Sequence, residues 1–170
     1  ACLGSYYKDN HLGTIGRMGI ISFNGNKIIT TGMGGALICR KSSDYRLAKH
    51  LVSTAKVSPS YKYIHDKIGY NFRMTNINAA SGYGQLLNIK KILRKKVQLH
   101  KMYLKLVSHY DFCELLESIP PEKPNYWINN IIVSSKNKNF KNNILKKLHT
   151  RGIYAREIWT PQHLLTMFKK

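Results

Sequence analysis

The sequence predicts an α/β fold, and three observations carry that prediction. Residues 1–35 alternate short apolar runs with glycine turns, the texture of strands and loops. Residues 76–107 hold an apolar stripe at three- and four-residue intervals, the signature of a long amphipathic helix. Behind a cluster of prolines, residues 126–158 read as a strand, a helix and a second strand.

Each element follows from its local pattern. Residues 20–23 and 36–39 are apolar and flank a polar turn, so they are expected to be two strands. Asp44 can cap a helix running to about Val57, with Leu47, Ala48, Leu51 and Val52 on its buried side. Residues 58–75 carry a proline, several tyrosines and no sustained period, so they read as an extended loop. Asn76 or Asn78 opens the long helix, whose stripe is Leu86, Ile89, Leu93, Val97, Leu104 and Val107. Pro120, Pro121 and Pro124 mark a boundary, because proline stops helices and biases its predecessor toward extended backbone. A strand is expected at 126–133, then a polar Asn- and Lys-rich stretch. A helix over 140–149 follows, with Gly152 just past its end, and then a strand at 153–158. A further segment begins at Trp159.

The 170 residues, 43% hydrophobic, suffice for one domain with a small appendage. No apolar run reaches the roughly 18 residues a membrane span needs, and no charged-then-apolar leader opens the chain. A cytoplasmic protein without a membrane partner is therefore expected. Cys2, Cys39 and Cys113 are widely spaced and form no Cys-x-x-Cys pair, which fits reduced thiols and no metal site. Twenty-eight Lys and Arg against eight Asp and Glu give a formal net charge of +20. That charge points first to nucleic acid. The lysines are nevertheless spread along the chain, and no aromatic stacking platform is interleaved with them, so no nucleic-acid partner is expected.

The chain is organised around Ser-Phe-Asn-Gly-Asn-Lys at 22–27 and Thr-Thr-Gly-Met-Gly-Gly at 30–35. A phosphate-binding loop of the Walker type is excluded by spacing, since Asn26 precedes Lys27 and Ile28 follows it. What remains is a lysine presented between a strand and a glycine cluster. An amine held in that way can trap an aldehyde as a Schiff base.

These two segments resemble the cofactor-lysine stretch of the DegT/DnrJ/StrS nucleotide-sugar aminotransferases, which use pyridoxal phosphate. Gly4-Ser5, Gly13-Thr14 and Gly16 resemble the lead-in to the lysine strand. His-Asp-Lys-Ile-Gly-Tyr-Asn-Phe-Arg-Met-Thr-Asn at 65–76 resembles a second family signature, and Ala79-Ala80 with Gln85-Leu86 the helix after it. The resemblance implies a partial fold-type I aminotransferase: the end of a large cofactor-binding domain over 1–85, a connecting helix and linker over 86–118, and a small α/β domain over 119–170.

Roles follow from the resemblance residue by residue. Lys27 is the catalytic, cofactor-attaching lysine, and Ser22 a donor to the cofactor phosphate. Asn71 reaches the phosphate of a partner subunit, which implies a homodimer with a shared site. Tyr70, Arg73, Arg156 and Trp159 are the weaker substrate-binding candidates, and Trp127 and Trp159 are each able to stack on a base or to pack in the interior. The family's pyridine-nitrogen aspartate, its ring-stacking residue and further phosphate donors are expected upstream of residue 1, and another strand and helix after Met167. The 170 residues are accordingly expected to be an internal piece that binds cofactor poorly alone. Met33 and Glu157 depart from the family pattern at positions that bear on substrate fit.

The implied activity moves an amino group from an amino acid, glutamate, to the keto group of a nucleotide-linked sugar. The surroundings of Lys27, Tyr70-Asn71 and Ile158-Trp159 are closest to enzymes acting on UDP-4-keto-6-deoxy-N-acetylhexosamines. Two other readings compete. A basic module gripping nucleic acid or an acidic surface would show binding that collapses with salt. A dehydratase relative would carry histidine in place of Lys27.

Overall fold

The computed structural model describes residues 2–57, 61–134 and 139–168. Among the described residues four short strands come first, then three helices, three more short strands and a fourth helix, and the strands form three small antiparallel sheets. The α/β class expected from the sequence is the one observed. Pro59 of the expected loop and residues 135–138 of the Asn- and Lys-rich stretch lie outside the described residues.

The hairpin that carries the lysine turn is the best-defined sheet. Strand β3 (Met18–Ser22) pairs with β4 (Gly35–Cys39), with Met18 opposite Cys39 and Ser22 opposite Gly35. The period-2 alternation of a strand sorts its side chains: Gly19 and Ile21 are buried while Met18 and Ile20 face out. Gly19 is required by close approach, since a Cβ there would lie 1.7 Å from the Gly13 carbonyl oxygen. Two further strands, β1 (Tyr6–Tyr7) and β2 (Asn10–His11), pair with each other, and β1 also pairs with β6 (Glu122–Lys123).

Helix α1 spans Ser42–Leu51, so it stops short of the expected end near Val57. Thr54 and Ala55 adopt positive φ, which no helix continues through. Asp44 does not cap it. Lys41 is the N-cap, and Asp44 is buried in the first turn, taking two hydrogen bonds from the Arg17 guanidinium at 2.8 and 2.6 Å. Leu47, expected inside, is exposed.

The long helix is two helices, α2 (Asn76–Leu87) and α3 (Ile89–Val107). Thr75, rather than Asn76 or Asn78, caps the first, its hydroxyl accepting from the Asn78 N–H. The break falls at Asn88, whose side-chain amide donates to the Gly84 carbonyl at 3.1 Å while its own N–H turns to Gln85. The side chain has taken the acceptor that its backbone would use in a continuous helix. Of the expected stripe, Ile89, Leu93, Leu104 and Val107 face inward, whereas Leu86 and Val97 are exposed. His100 is the surprise on the buried face. It stacks on Tyr126 with ring centroids 3.8 Å apart and bonds Asn129 through Nδ1.

The region after the prolines is less regular than expected. Strand β5 (Cys113–Leu115) pairs with β7 (Ile131–Val133), which is all that forms of the strand expected at 126–133. Tyr126 has positive φ, and Asn125 bonds Leu3 and Ser5 rather than a sheet neighbour. Helix α4 (Phe140–Thr150) appears where expected. Residues 153–158 form no strand. His149 Nε2 pairs with the Ala155 carbonyl, Ala155 bonds back to Ile153, and no second strand lies alongside. Two short 3₁₀ turns, Gln162–Leu164 and Thr166–Phe168, close the described chain.

Among the described residues, Ile21, Ile28, Ile29, Ala55, Val107 and Leu115 are the buried apolar ones. A compact chain of this mass would expose about 8,600 Å², whereas this one exposes 13862 Å². Much of its apolar surface is therefore of the kind that other protein covers.

Candidate active site

The lysine turn is built by its neighbours. Phe23 N–H donates to Gly34 and Thr31 N–H to Phe23, so the segment between β3 and β4 is pinched shut at its base. Lys27 N–H donates to the Asn24 carbonyl at 3.0 Å, closing a tight turn at the tip. Directly after it, Ile28 and Ile29 are buried at 7% and 3% exposure, anchoring one side of the lysine in the interior. Gly34, at φ +97, supplies the reversal that brings the chain back to β4.

Helix α2 holds the segment from a second side. Asn78, Gly82 and Gln85 share one face at helical spacing, and that face rides on Thr30 and Thr31. Gln85 grips the Thr30 backbone twice: its Oε1 accepts the Thr30 N–H at 3.0 Å and its Nε2 donates to the Thr30 carbonyl at 2.6 Å. Asn78 Nδ2 donates to the Thr31 carbonyl at 2.7 Å. A Cβ at Gly82 would come within 2.6 Å of Thr31 Cγ2, so only glycine allows this contact.

The third support comes from far along the chain. The Trp127 indole N–H donates to the Asn26 carbonyl at 2.5 Å, and the ammonium of Lys27 stands over the Trp127 ring at 3.6 Å. Asn125 fixes Trp127 in turn, its Oδ1 accepting the Trp127 N–H at 2.9 Å. Trp159 stacks on Trp127 with centroids 6.1 Å apart and planes 22° from parallel.

The expected site residues fall into two groups. Ser22 ends β3 and Lys27 follows in the same turn. The Ser22 oxygen accepts only a long contact from Asn24 N–H at 3.4 Å, and its proton has no acceptor among the described residues. Trp159 reaches this group through Trp127. Tyr70, Asn71 and Arg73 are exposed on a loop that returns along the end of α1, with Asn71 bridged to Ser53 and Tyr70 N–H bonded to Leu51. Among the described residues no hydrogen bond or ring contact joins that group to Lys27. Arg156 is exposed beside Glu157, which pairs with Lys141 at 2.9 Å. The roles of Gln85, Asn78 and Trp127 in holding the lysine were not anticipated. Only the shared spacing of 78, 82 and 85 hinted at a functional face.

Electrostatic perturbation lies away from the turn. The Arg17 guanidinium holds the Asp44 carboxyl below its usual range by hydrogen bonding, and His50 does the same to Asp66 across a 2.5 Å contact. Lys123 lowers exposed Asp9 likewise.

In chemical terms the turn offers a primary amine on a braced backbone and, five residues earlier in the chain, a hydroxyl with a proton to give. That donor set fits an aldehyde cofactor bearing a phosphate, since the amine can bond the aldehyde carbon and the hydroxyl can donate to the anion.

Comparison with known proteins agrees with that chemistry. The chain is 33% identical over 166 residues to EpsN of Bacillus subtilis (strain 168), assigned as a pyridoxal phosphate-dependent aminotransferase; the match covers 98% of this chain and 42% of EpsN. It is 30% identical over 169 residues to GDP-perosamine synthase of Escherichia coli O157:H7, covering 98% of this chain and 44% of the synthase. Its fold superimposes on Helicobacter pylori PseC, an aminotransferase involved in the biosynthesis of pseudaminic acid, with a TM-score of 0.91 and 26% identity over 98% of this chain and 45% of PseC. The chain thus spans less than half the length of these relatives. Its architecture is a partial α/β fold of the type I class of pyridoxal-phosphate enzymes. Across residues 1–170 the sequence matches the model of the DegT/DnrJ/EryC1/StrS aminotransferases, and the chain belongs to that family.

Proposed function

We propose that this chain is the lysine-bearing part of a pyridoxal-phosphate-dependent sugar aminotransferase. Its amino donor is an amino acid, glutamate, and its acceptor is the keto group of a nucleotide-linked sugar, a UDP-4-keto-6-deoxy-N-acetylhexosamine. The observation that carries the reading is Lys27: a primary amine on a turn braced by the hairpin, by α2 and by Trp127, five residues after a hydroxyl with a free proton. The names of EpsN and PseC support the reaction class. The relatives differ in nucleotide by name: GDP in GDP-perosamine synthase, UDP in the UDP-4-amino-4,6-dideoxy-N-acetyl-beta-L-altrosamine transaminase of Helicobacter pylori.

When bound, pyridoxal phosphate supplies an electron sink that lets the donor's α-carbon release a proton. Lys27 Nζ would be the attachment point for the aldehyde and, as a free amine, would take the proton from the donor's α-carbon. Ser22 Oγ donates to a phosphate oxygen. Asn71, on a loop whose Tyr61, Tyr63, Ile68 and Phe72 all face solvent, serves the phosphate site of a partner protomer. Covering those rings is a physical reason to dimerise. Tyr70 and Arg73 on that loop, with Arg156 and Trp159 near the end of the chain, are assigned to substrate.

Residues 1–85 belong to a large cofactor-binding domain, 86–118 to a connecting helix and linker, and 119–170 to a small α/β domain. A cytoplasmic setting accords with three cysteines that form no disulfide, and no described helix is long and apolar enough to cross a membrane.

The test is chemical capture. The complete gene product is purified with pyridoxal phosphate, reduced with borohydride, digested and mapped by mass spectrometry. The cofactor mass is expected on the peptide containing Lys27 and is absent from Lys27→Ala. Capture on another lysine, or none, overturns the assignment.

A further inference from the structure

Trp127, against which Lys27 rests, has no place in the reaction as derived above, yet it is the most specific feature of the turn. Three independent contacts converge on one indole. Its N–H donates to the carbonyl of the residue before the lysine, its face lies 3.6 Å from the lysine nitrogen, and its other neighbour is the ring of Trp159. Trp127 is itself fixed by backbone. Its N–H is held by Asn125, which is tied to Leu3 and Ser5, and its carbonyl receives the Lys96 ammonium at 3.4 Å. A ring so constrained at both ends does not follow the lysine; the lysine follows the ring.

We propose that Trp127 is a positioning residue for Lys27. It sets the tip of the turn through Asn26 and gives the unattached ammonium a fixed seat on its π face, while Trp159, stacked on the indole, helps to keep it in place. The inference rests on the reading of Lys27 as the attachment lysine. A face-on cation is attracted by the ring quadrupole, and the attraction grows as water is excluded. Lys27 is half-buried, so the contact is stronger than one on an open surface. The consequence is that the resting amine has one location rather than a spread of rotamers. Trp159 is 70% exposed, so whatever binds at or moves the segment around it acts on the amine through one intervening ring.

The experiment reads the amine directly, without cofactor. The complete gene product is stripped of pyridoxal phosphate and trace-labelled with acetic anhydride at a single pH, and the labelling rate of each lysine is obtained by mass spectrometry. Trp127→Leu removes the ring and the N–H together. It is expected to raise the rate at Lys27 roughly three- to fivefold, the factor that a cation–π contact of ordinary strength represents, with the other lysines unchanged. Trp127→Phe keeps a ring face and should recover most of the wild-type rate. Trp159→Ala, which unseats the indole without touching Lys27, should fall between them. A uniform rise at all lysines in Trp127→Leu signifies unfolding, and Trp159→Ala and Trp127→Phe then decide. If Lys27 labels at the wild-type rate in every variant that keeps its fold, the proposal is overturned. Because the labelling needs no cofactor and borohydride capture does, failure here with capture intact removes only the role of Trp127. Failure of capture with the labelling pattern intact removes the aminotransferase reading and leaves the contact standing.

Discussion

Gln85 is the side chain through which α2 grips the lysine segment, and the cost of losing it follows from its two bonds. Gln85→Leu preserves shape but deletes both the acceptor for Thr30 N–H and the donor to Thr30 C=O. A protein hydrogen bond contributes about 0.5–1.5 kcal/mol net. Thr30 is only half-buried, so water partly replaces the lost partners. The expected loss is therefore about 1–3 kcal/mol, read as a lower urea midpoint at unchanged slope. Gln85→Glu makes a sharper test. At neutral pH its carboxylate still accepts from Thr30 N–H but sets a second oxygen against the Thr30 carbonyl, where the amide now donates at 2.6 Å. It should be at least as destabilised as Gln85→Leu at pH 7. It should recover in acid, where the protonated carboxyl donates again. Hydrogen exchange should localise the damage: the amides of residues 27–31 exchange faster, while those pairing β3 with β4 hold. Either of two results refutes the reasoning. One is Gln85→Leu within about 0.5 kcal/mol of wild type; the other is Gln85→Glu matching wild type at neutral pH.

The remaining predictions concern the frame around the turn. Asp44 is titrated low by Arg17, so their pairing stabilises the fold above the ordinary carboxylate range and is lost as pH falls through the depressed value. Arg17→Leu should accordingly move the acid-unfolding midpoint, followed by circular dichroism, to higher pH. An unmoved midpoint contradicts the linkage. Gly19→Ala would drive a methyl into the Gly13 backbone, which cannot yield as a flexible side chain does. A loss of about 3 kcal/mol or more is expected in urea unfolding. Gly25→Ala, with nothing within 4 Å of the new Cβ, should stay within about 0.5 kcal/mol of wild type.

Local pattern was legible where local forces decide. The β3–β4 hairpin follows from two short apolar runs on either side of a glycine-bearing turn, and α4 from its spacing and from Gly152 behind it. It failed where a side chain or a distant segment outbid the backbone's own preference. The amide of Asn88 splits one apolar stripe into α2 and α3. Asn125, bonded to residues at the start of the chain, leaves Tyr126 left-handed at the head of a run with strand composition. Residues 153–158 have strand composition but no neighbouring edge, and composition cannot supply one.

The site shows the same division at higher stakes. That Lys27 stands between a strand and a glycine cluster is plain in the sequence; that it is held there is not. Its braces are Gln85, 55 residues from Thr30, and Trp127, 101 residues from Asn26, and no local pattern pairs either of them with the turn. A lysine on a mobile loop reacts with aldehydes indiscriminately and reversibly. One whose turn is pinned at its base, its flank and its tip pays the ordering entropy during folding and presents its nitrogen where a second reactant can be aimed at it. On the proposed reading, it is these braces on the backbone of its turn that set Lys27 apart from the other lysines of a strongly basic chain. They place the expected loss of function at Gln85 and Trp127 as well as at Lys27 itself.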